Sequence, residues 1–303
     1  MVFQETTHIS SSLSDQTDVS DAARLLCNYE PQVCFSGQVA GHKGFVLQPS
    51  KAAEFIESDA RNREVVHPFL IGRDVLSGNG SPSEWVIDFQ TRTMLEASSY
   101  SEPFQRVQKL VLPTRVDKAE QGKTAEGEQR SHHKAFLKHW WRHSFDRPEM
   151  INLLATMPRY IVCSDTTKRP IFAFISQAIR PDHKLRVFAF ADDYSFGILQ
   201  SHSHWLWFVT KCSKLTERFN YTSTTVFDTF PWPQSPDAKT VASVAAAGRE
   251  VRRIRTEALP KMKGGSARSI AHSNSPGRTH SKKPMPLSMP PCSQPTAFHQ
   301  TPS

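Results

Sequence analysis

The chain lacks a long apolar stretch. No run of about eighteen apolar residues, the length a helix needs to cross a bilayer, occurs anywhere in its 303 residues. The first twenty residues are polar and have no apolar core of the kind a secretory signal requires. Cysteine is sparse: five residues, at 27, 34, 163, 212 and 292, with no Cys-x-x-Cys pair. An odd, unpaired set argues against both a disulfide framework and a zinc ribbon, and a reducing cytoplasm fits it. A glycine-rich phosphate loop is also missing. Gly78-Asn-Gly80 follows no strand signal and lacks a third glycine, so it reads as a simple loop. No internal repeat is visible.

Net charge says less than it first suggests. The formal total is +8. Residues 1–100 hold 7 Lys/Arg against 13 Asp/Glu, and residues 191–243 hold 4 against 5. Residues 101–190 are basic, with 16 against 9, and residues 244–303 hold 10 against 2. The first 243 residues therefore cancel, and the global excess belongs to the last sixty. What remains informative is a basic middle behind an acidic front, because phosphate neutralisation needs a local patch.

At this length one large domain or two small ones are expected. Short strands and helices alternate, the pattern of a mixed α/β fold. A short helix is expected around Asp21–Leu26, and β-like runs over 32–47 are punctuated by Gly37, Gly41 and Gly44. Pro49-Ser50 opens a helix to about Ser58, with Ala52, Phe55 and Ile56 on one face. Trp85–Phe89 reads as a strand. Residues 92–116 read as helical with breaks near Pro103 and Pro113, and 117–133 as a mobile loop. Helices follow at about 134–145 and 148–157. Strands are expected at 160–163, 171–175 and 186–190, then one aromatic helix over 193–209. In the 237–259 segment Val241, Val244, Ala245, Gly248, Val251, Ile254 and Ala258 keep helical spacing, with Arg249, Arg252, Arg253 and Arg255 on the other face. Residues 264–303 contain seven Pro and eight Ser and no apolar period. Such a composition buries too little surface to offset chain entropy and reads as disordered.

The most informative stretch is Phe219-Asn-Tyr-Thr-Ser-Thr-Thr-Val-Phe-Asp-Thr-Phe-Pro-Trp-Pro233. Its hydroxyl residues suit a capped turn, and its aromatics and prolines suit a clamped corner between elements. The order of residues resembles the segment closing the target recognition region of MmeI-like DNA adenine methyltransferases and their restriction–modification relatives. The resemblance extends through Asp18-Val-Ser-Asp-Ala-Ala-Arg-Leu-Leu-Cys-Asn28, Phe35-Ser-Gly-Gln-Val-Ala-Gly41, Gly44-Phe-Val-Leu47 and Glu64-Val-Val-His-Pro-Phe-Leu-Ile-Gly-Arg-Asp74. It continues through Trp85-Val-Ile-Asp-Phe89, Trp140-Trp141, Arg147-Pro-Glu-Met150 and Leu199-Gln-Ser-His-Ser-His-Trp-Leu-Trp207. It covers roughly residues 15 to 260.

The resemblance implies a target-recognition-type domain at 31–233, a linker from a catalytic domain at 1–30 and a helical segment at 234–262. Residues 263–303 are expected to be a disordered tail or the product of a reading-frame slip. It also implies double-stranded DNA as partner and S-adenosylmethionine as cofactor of the intact enzyme. No cofactor, catalytic or metal residue is expected in this chain. An Asn-Pro-Pro-Tyr loop, which would hold a flipped adenine, is absent; the lone Pro290-Pro291 is flanked by Met289 and Cys292. The chain alone is therefore expected to be inactive. Three readings stay open: the recognition part of an adenine-N6 methyltransferase, a stand-alone specificity subunit serving a separate catalytic chain, and a non-functional gene remnant.

Candidate reading residues come from residue type and loop position. Lys168 and Arg169 stand between two expected strands, and Arg180, Lys184 and Arg186 surround the next turn. Arginine presents two donors to guanine O6 and N7, whereas lysine acts as a point charge. Gln177, and less strongly Asn152, suit adenine edges. A merely solvated charged surface is the competing reading. His132, His133, His139 and His143 lack the glutamate a zincin needs, since Trp140 occupies its place. Asp192-Asp193 reads as a helix cap. Trp140, Trp141, Trp205 and Trp207 read as core aromatics more readily than as stacking platforms for bases.

Overall fold

The computed structural model describes residues 19, 21–76, 80–121, 131–215 and 218–258. The tail at 263–303, most of the expected linker and most of the expected loop at 117–133 lie outside them. After one helical turn, α1 (Leu26–Tyr29), come β1 (Cys34–Ser36), β2 (Val46–Leu47), α2 (Pro49–Ser58), β3 (Val66–Leu70), α3 (Gly72–Leu76) and β4 (Glu84–Ile87). A helical series follows: α4 (Met94–Ser98), α5 (Ser101–Leu110), α6 (Leu112–Gln121), α7 (Ser131–Lys138) and α8 (Pro148–Ala155). Next are β5 (Arg159–Ser164), β6 (Thr166–Thr167), β7 (Ala173–Ser176), β8 (Arg180–Pro181) and β9 (Leu185–Phe188). Then come α9 (Asp193–Leu199), α10 (His202–Lys211), β10 (Ser213–Leu215), β11 (Arg218–Asn220) and α11 (Ala238–Ala258). The fold is mixed α/β, as the sequence indicates.

Among the described residues the strands form three sheets. One runs β1-β9-β5-β7, entirely antiparallel. Both its faces are covered. Ile161, Cys163 and Phe188 point to a core shared with Phe196, Phe208, Tyr221 and Phe227, while Tyr160, Val162 and Val187 point to one shared with Met150 and Leu154. This alternation is the period-2 pattern of a strand. The second sheet runs β2-β4-β3-β8 and packs Leu47, Val66, Phe69 and Ile87, with Phe45 just before β2, in one core with Phe55, Val107, Trp140 and Trp141. A small third sheet runs β10-β11-β6.

Several expected boundaries move for identifiable reasons. The helix expected at 21–26 is displaced to α1, because Leu25 donates its backbone N–H to the Asp228 carbonyl at 2.7 Å and stays extended. Asn28 then donates to the carbonyls of Phe227, Asp228 and Phe230 at 3.1, 3.2 and 2.8 Å, tying this region to the aromatic corner. The helix expected at 134–145 ends at Lys138. Arg115 reaches across and donates to the carbonyls of Phe136, His139 and Arg142 at 2.8, 3.2 and 2.9 Å, which satisfies acceptors at that helix end. The single helix expected at 193–209 is two. Asp192 caps α9 through Ser195 N at 2.7 Å, and Ser201 opens α10 by capping His204 N at 3.1 Å.

The helix expected at 237–259 is α11, and it crosses α9 at two glycines. A Cβ on Gly248 would lie 2.9 Å from the Asp193 carbonyl oxygen and 3.3 Å from the Gly197 Cα. Asp193 receives Arg159 and Arg249 at 3.3 and 3.4 Å, and also Arg252. The stripe of arginines on α11 therefore begins as an anchor to its neighbour.

Candidate nucleic-acid interface

The two larger sheets meet at the turn between β8 and β9. Asp182 builds this turn. Its backbone N–H donates to Leu70 O at 2.9 Å, its carbonyl accepts Leu185 N at 2.9 Å, and its Oδ1 accepts Lys184 N at 2.9 Å. Aspartate suits such a turn because its carboxylate caps the backbone two residues on. Gln38 N donates to Pro181 O at 2.8 Å. A Cβ on Gly37 would lie 2.5 Å from that same oxygen, so glycine is what lets the segment pass so close.

Beside the turn opens a groove of about 1070 Å³. The loop after β1 lines it with Gly41, His42 and Lys43, and the end of β3 with Ile71, Gly72 and Arg73. The β5–β6 corner adds Ser164, Asp165 and Thr166, and the β8–β9 turn adds Asp182, His183 and Lys184. Lys43, Arg73 and Lys184 are exposed on its walls. Asp165 is different: it is 7% exposed, and its Oδ1 has no hydrogen-bond partner. Its backbone is fixed on both sides, N–H to Lys184 O at 2.8 Å and carbonyl to Tyr221 N at 2.7 Å. A buried carboxylate oxygen without a donor is costly, and this one is closed off from solvent on a rigid frame.

Behind the groove lies a buried polar network around Asp88. This carboxylate is fully buried and accepts Gln38 Nε2 at 2.9 Å and Gln90 N at 3.1 Å. Arg180 Nε stands 3.4 Å from its Oδ2, and His143 Nδ1 lies 3.8 Å from its Oδ1. Burial pushes the Asp88 carboxyl up, but His143, Arg180 and the Gln38 bond outweigh it and hold the group below the usual carboxylate range. His67 approaches Arg180 Nη2 at 3.5 Å; burial and that cation bring its pKa down to about 4, so it is neutral at pH 7.

The six residues singled out in the sequence fall in different places. Lys184 stands on the groove wall. Arg180 does not face outward; its guanidinium is engaged with Asp88 and His67. Arg186 is half-buried on the aromatic side of its sheet, with Nε donating to Tyr221 O at 2.7 Å. The reason is the covered sheet: alternating with Leu185 and Val187 carries Arg186 to the other face, and that face is not solvent. Lys168 and Arg169 follow β6 away from the groove edge, and the Arg169 guanidinium lies 5.0 Å from the Trp205 ring. Gln177 is exposed in the turn after β7, and Asn152 is exposed on α8; neither lines the groove.

Lys43, Arg73 and Asp165 were missed by sequence reasoning. Arg73 had a signal, a charged residue directly after the glycine that follows an apolar run; Lys43 and Asp165 had none beyond a loop position. Trp140 and Trp141 are buried core residues, and Trp141 Nε1 donates to Arg92 O at 3.0 Å. His143 Nε2 bonds to Ile87 O at 2.8 Å, while His139 packs on Trp141. Among the described residues no helix is long and apolar enough to cross a membrane.

Comparison with known proteins places this geometry. Residues 15–234 match the family model described as the MmeI target recognition domain. Among solved structures, the chain is similar to the Type IIL restriction–modification enzyme MmeI in complex with DNA, with a TM-score of 0.58 and 16% identity. That likeness covers 74% of this chain and 28% of the MmeI chain, and at this identity it speaks for the fold. No curated protein matches.

Proposed function

The chain belongs to the MmeI target recognition domain family, and on that premise we propose that its groove receives double-stranded DNA and reads part of a short target sequence for a restriction–modification enzyme. The observation that carries this is the polar make-up of the groove walls: exposed Lys43, Arg73 and Lys184 stand beside the carboxylates of Glu84, Asp182 and the buried Asp165, whose Oδ1 has no donor. Cations of this kind neutralise backbone phosphates or donate to guanine. An aspartate acceptor fits the exocyclic amine of cytosine. In this reading Lys184 contacts DNA, and Lys168 and Arg169, with Trp205, extend the contact along the strand-to-helix edge. Arg180 and Arg186 act as positioning residues, holding the turn that presents Lys184. Gln177 is a more distant contact.

The chain spans 28% of the length of the MmeI chain it resembles; in our reading methyl transfer falls to residues other than those of this chain. The reaction we propose for the whole enzyme is transfer of a methyl group from S-adenosylmethionine to adenine N6. The catalytic part is supplied in the same polypeptide or by a separate catalytic chain. The test is selection of bound duplexes from a random library by the purified chain. Enrichment of one short motif, lost on charge reversal of Lys43, Arg73 and Lys184, is expected. Binding with no motif enriched would reduce the chain to a nonspecific module. No binding at all would favour a gene remnant.

A further inference from the structure

Next to the groove lies a second, smaller recess of about 100 Å³, lined by Gly41, Arg115, Lys118, His133, Phe136 and Ser144. Gly41 belongs to both, so the two open onto the same loop. Among the described residues no carboxylate lines the recess. Arg115 is buried, and its guanidinium donates to three backbone carbonyls, with no acidic partner among the described residues. The guanidinium also lies 5.7 and 5.6 Å from the Phe45 and Phe136 rings, and it meets dipoles and ring faces but no carboxylate among the described residues. Burial draws its pKa down to about 10, which still leaves it charged at pH 7. Lys118 is exposed and also has no ion-pair partner among the described residues. On the facing loop, burial first and then these two cations lower the pKa of His42, so their fields converge there.

We propose that this recess binds a phosphate group. Lys118 supplies the ammonium donors, the Ser144 hydroxyl a further donor, and Arg115 a fixed positive charge behind them. Two cations with no acidic partner among the described residues, bordering a concave, partly desolvated space, favour a compact anion with several acceptor oxygens. Gly41 keeps the space open. It adopts φ +78°, where side chains are disfavoured, and a Cβ there would lie 2.8 Å from the Ser144 Cβ. As a contact to the DNA backbone the site rests on the function proposed above; as a phosphate site it does not. In the DNA reading it anchors one strand while the adjoining groove reads bases.

Two measurements on the full chain test this. Inorganic phosphate titrated into the ¹⁵N-labelled protein should shift the Gly41 and Ser144 amides saturably, and Lys118→Ala should abolish the shifts without changing the melting temperature. Absent shifts, or shifts unaltered in the variant, would overturn the site. Separately, Lys118→Ala should weaken duplex binding and reduce the slope of log K against log salt by roughly one unit. Saturable phosphate binding with an unchanged DNA slope would support a site for free or small-molecule phosphate and overturn the backbone assignment. If the wild-type chain binds no DNA, the proposed function fails, and the phosphate titration still decides the site.

Discussion

Arg180 Nε and Asp88 Oδ2 stand 3.4 Å apart in the interior, and neither side chain is free to meet a ligand. This pair ties β8, at the edge of its sheet, to the residue that follows β4, with β3 lying between the two strands, and Gln38 adds a third element through its 2.9 Å bond to the same carboxylate. Removing one partner leaves an uncompensated buried charge. Arg180→Ala should therefore cost about 3–5 kcal/mol of stability. Lys184→Glu should leave stability within about 0.5 kcal/mol, as surface substitutions do, while weakening DNA binding. Urea unfolding of the two variants, set beside their DNA affinities, checks the contrast. Equal stability of Arg180→Ala and wild type would mean that Arg180 does not serve as a positioning residue.

Asp165 should govern preference at one base position. Asp165→Asn replaces an acceptor oxygen with a donor amide, so discrimination in favour of an amine-bearing base should fall by about 1–3 kcal/mol at that position. Selection of bound duplexes by the variant reads this directly. A motif identical to that of the wild type would place base reading elsewhere.

Acid should destabilise the fold through two buried histidines. His204 is fully buried and bonds the Tyr221 hydroxyl at 3.0 Å; burial brings its pKa down to about 4, as burial and Arg180 do for His67. The unfolded chain, with histidine pKa about 6.5, then binds more protons than the native state between pH 6.5 and 4. Stability is full above that window and is lost as pH falls through it. From pH 7 to pH 5 each histidine should contribute a loss of about 2 kcal/mol. Denaturant titrations at the two pH values check the total, and His204→Phe should remove its share. A pH-independent midpoint would show that neither ring is held neutral.

Gly248→Ala should destabilise α11 despite alanine's higher helix propensity. The propensity gain is about 1 kcal/mol, but the new methyl meets the Asp193 carbonyl at 2.9 Å, a backbone atom that cannot rotate away. Overpacking of this kind costs about 1–3 kcal/mol. Faster amide exchange in 238–258, with the strands unchanged, is the expected signature. Slower exchange would mean that the crossing has room to spare.

S-adenosylmethionine should not bind this chain. Its sequence has neither the glycine-rich turn nor the Asn-Pro-Pro-Tyr loop that methyl transfer to adenine requires. Calorimetry should show no heat above dilution, and labelled methyl groups should reach DNA only when a catalytic chain is added. Micromolar binding by the chain alone would sink this assignment.

Local pattern determined much of this protein. Pro49 at the helix start and Ala52 and Phe55 on one face place α2 at the residues expected, and the spacing from Val241 to Ala258 places α11. The Ile, Val and Phe runs locate β5, β7 and β9 to within about two residues, the usual boundary error. These signals work because helix and strand periods are properties of neighbouring residues. The ordered blocks from Asp18 to Pro233 indicated the family. Where each charge points was not legible. Arg180, Lys184 and Arg186 look alike in sequence, yet one meets Asp88, one lines the groove and one bonds Tyr221 O. Only tertiary structure decided this: the sheet holding Arg186 is covered on both faces and gives it a second interior, Arg180 stands on β8 of the other sheet beside Asp88, and Lys184 sits in the turn between the two strands. The groove is likewise assembled from residues near 42, 73, 165 and 184. Their proximity is created by pairing β8 with β3 and β9 with β5, contacts that carry no short-range signature.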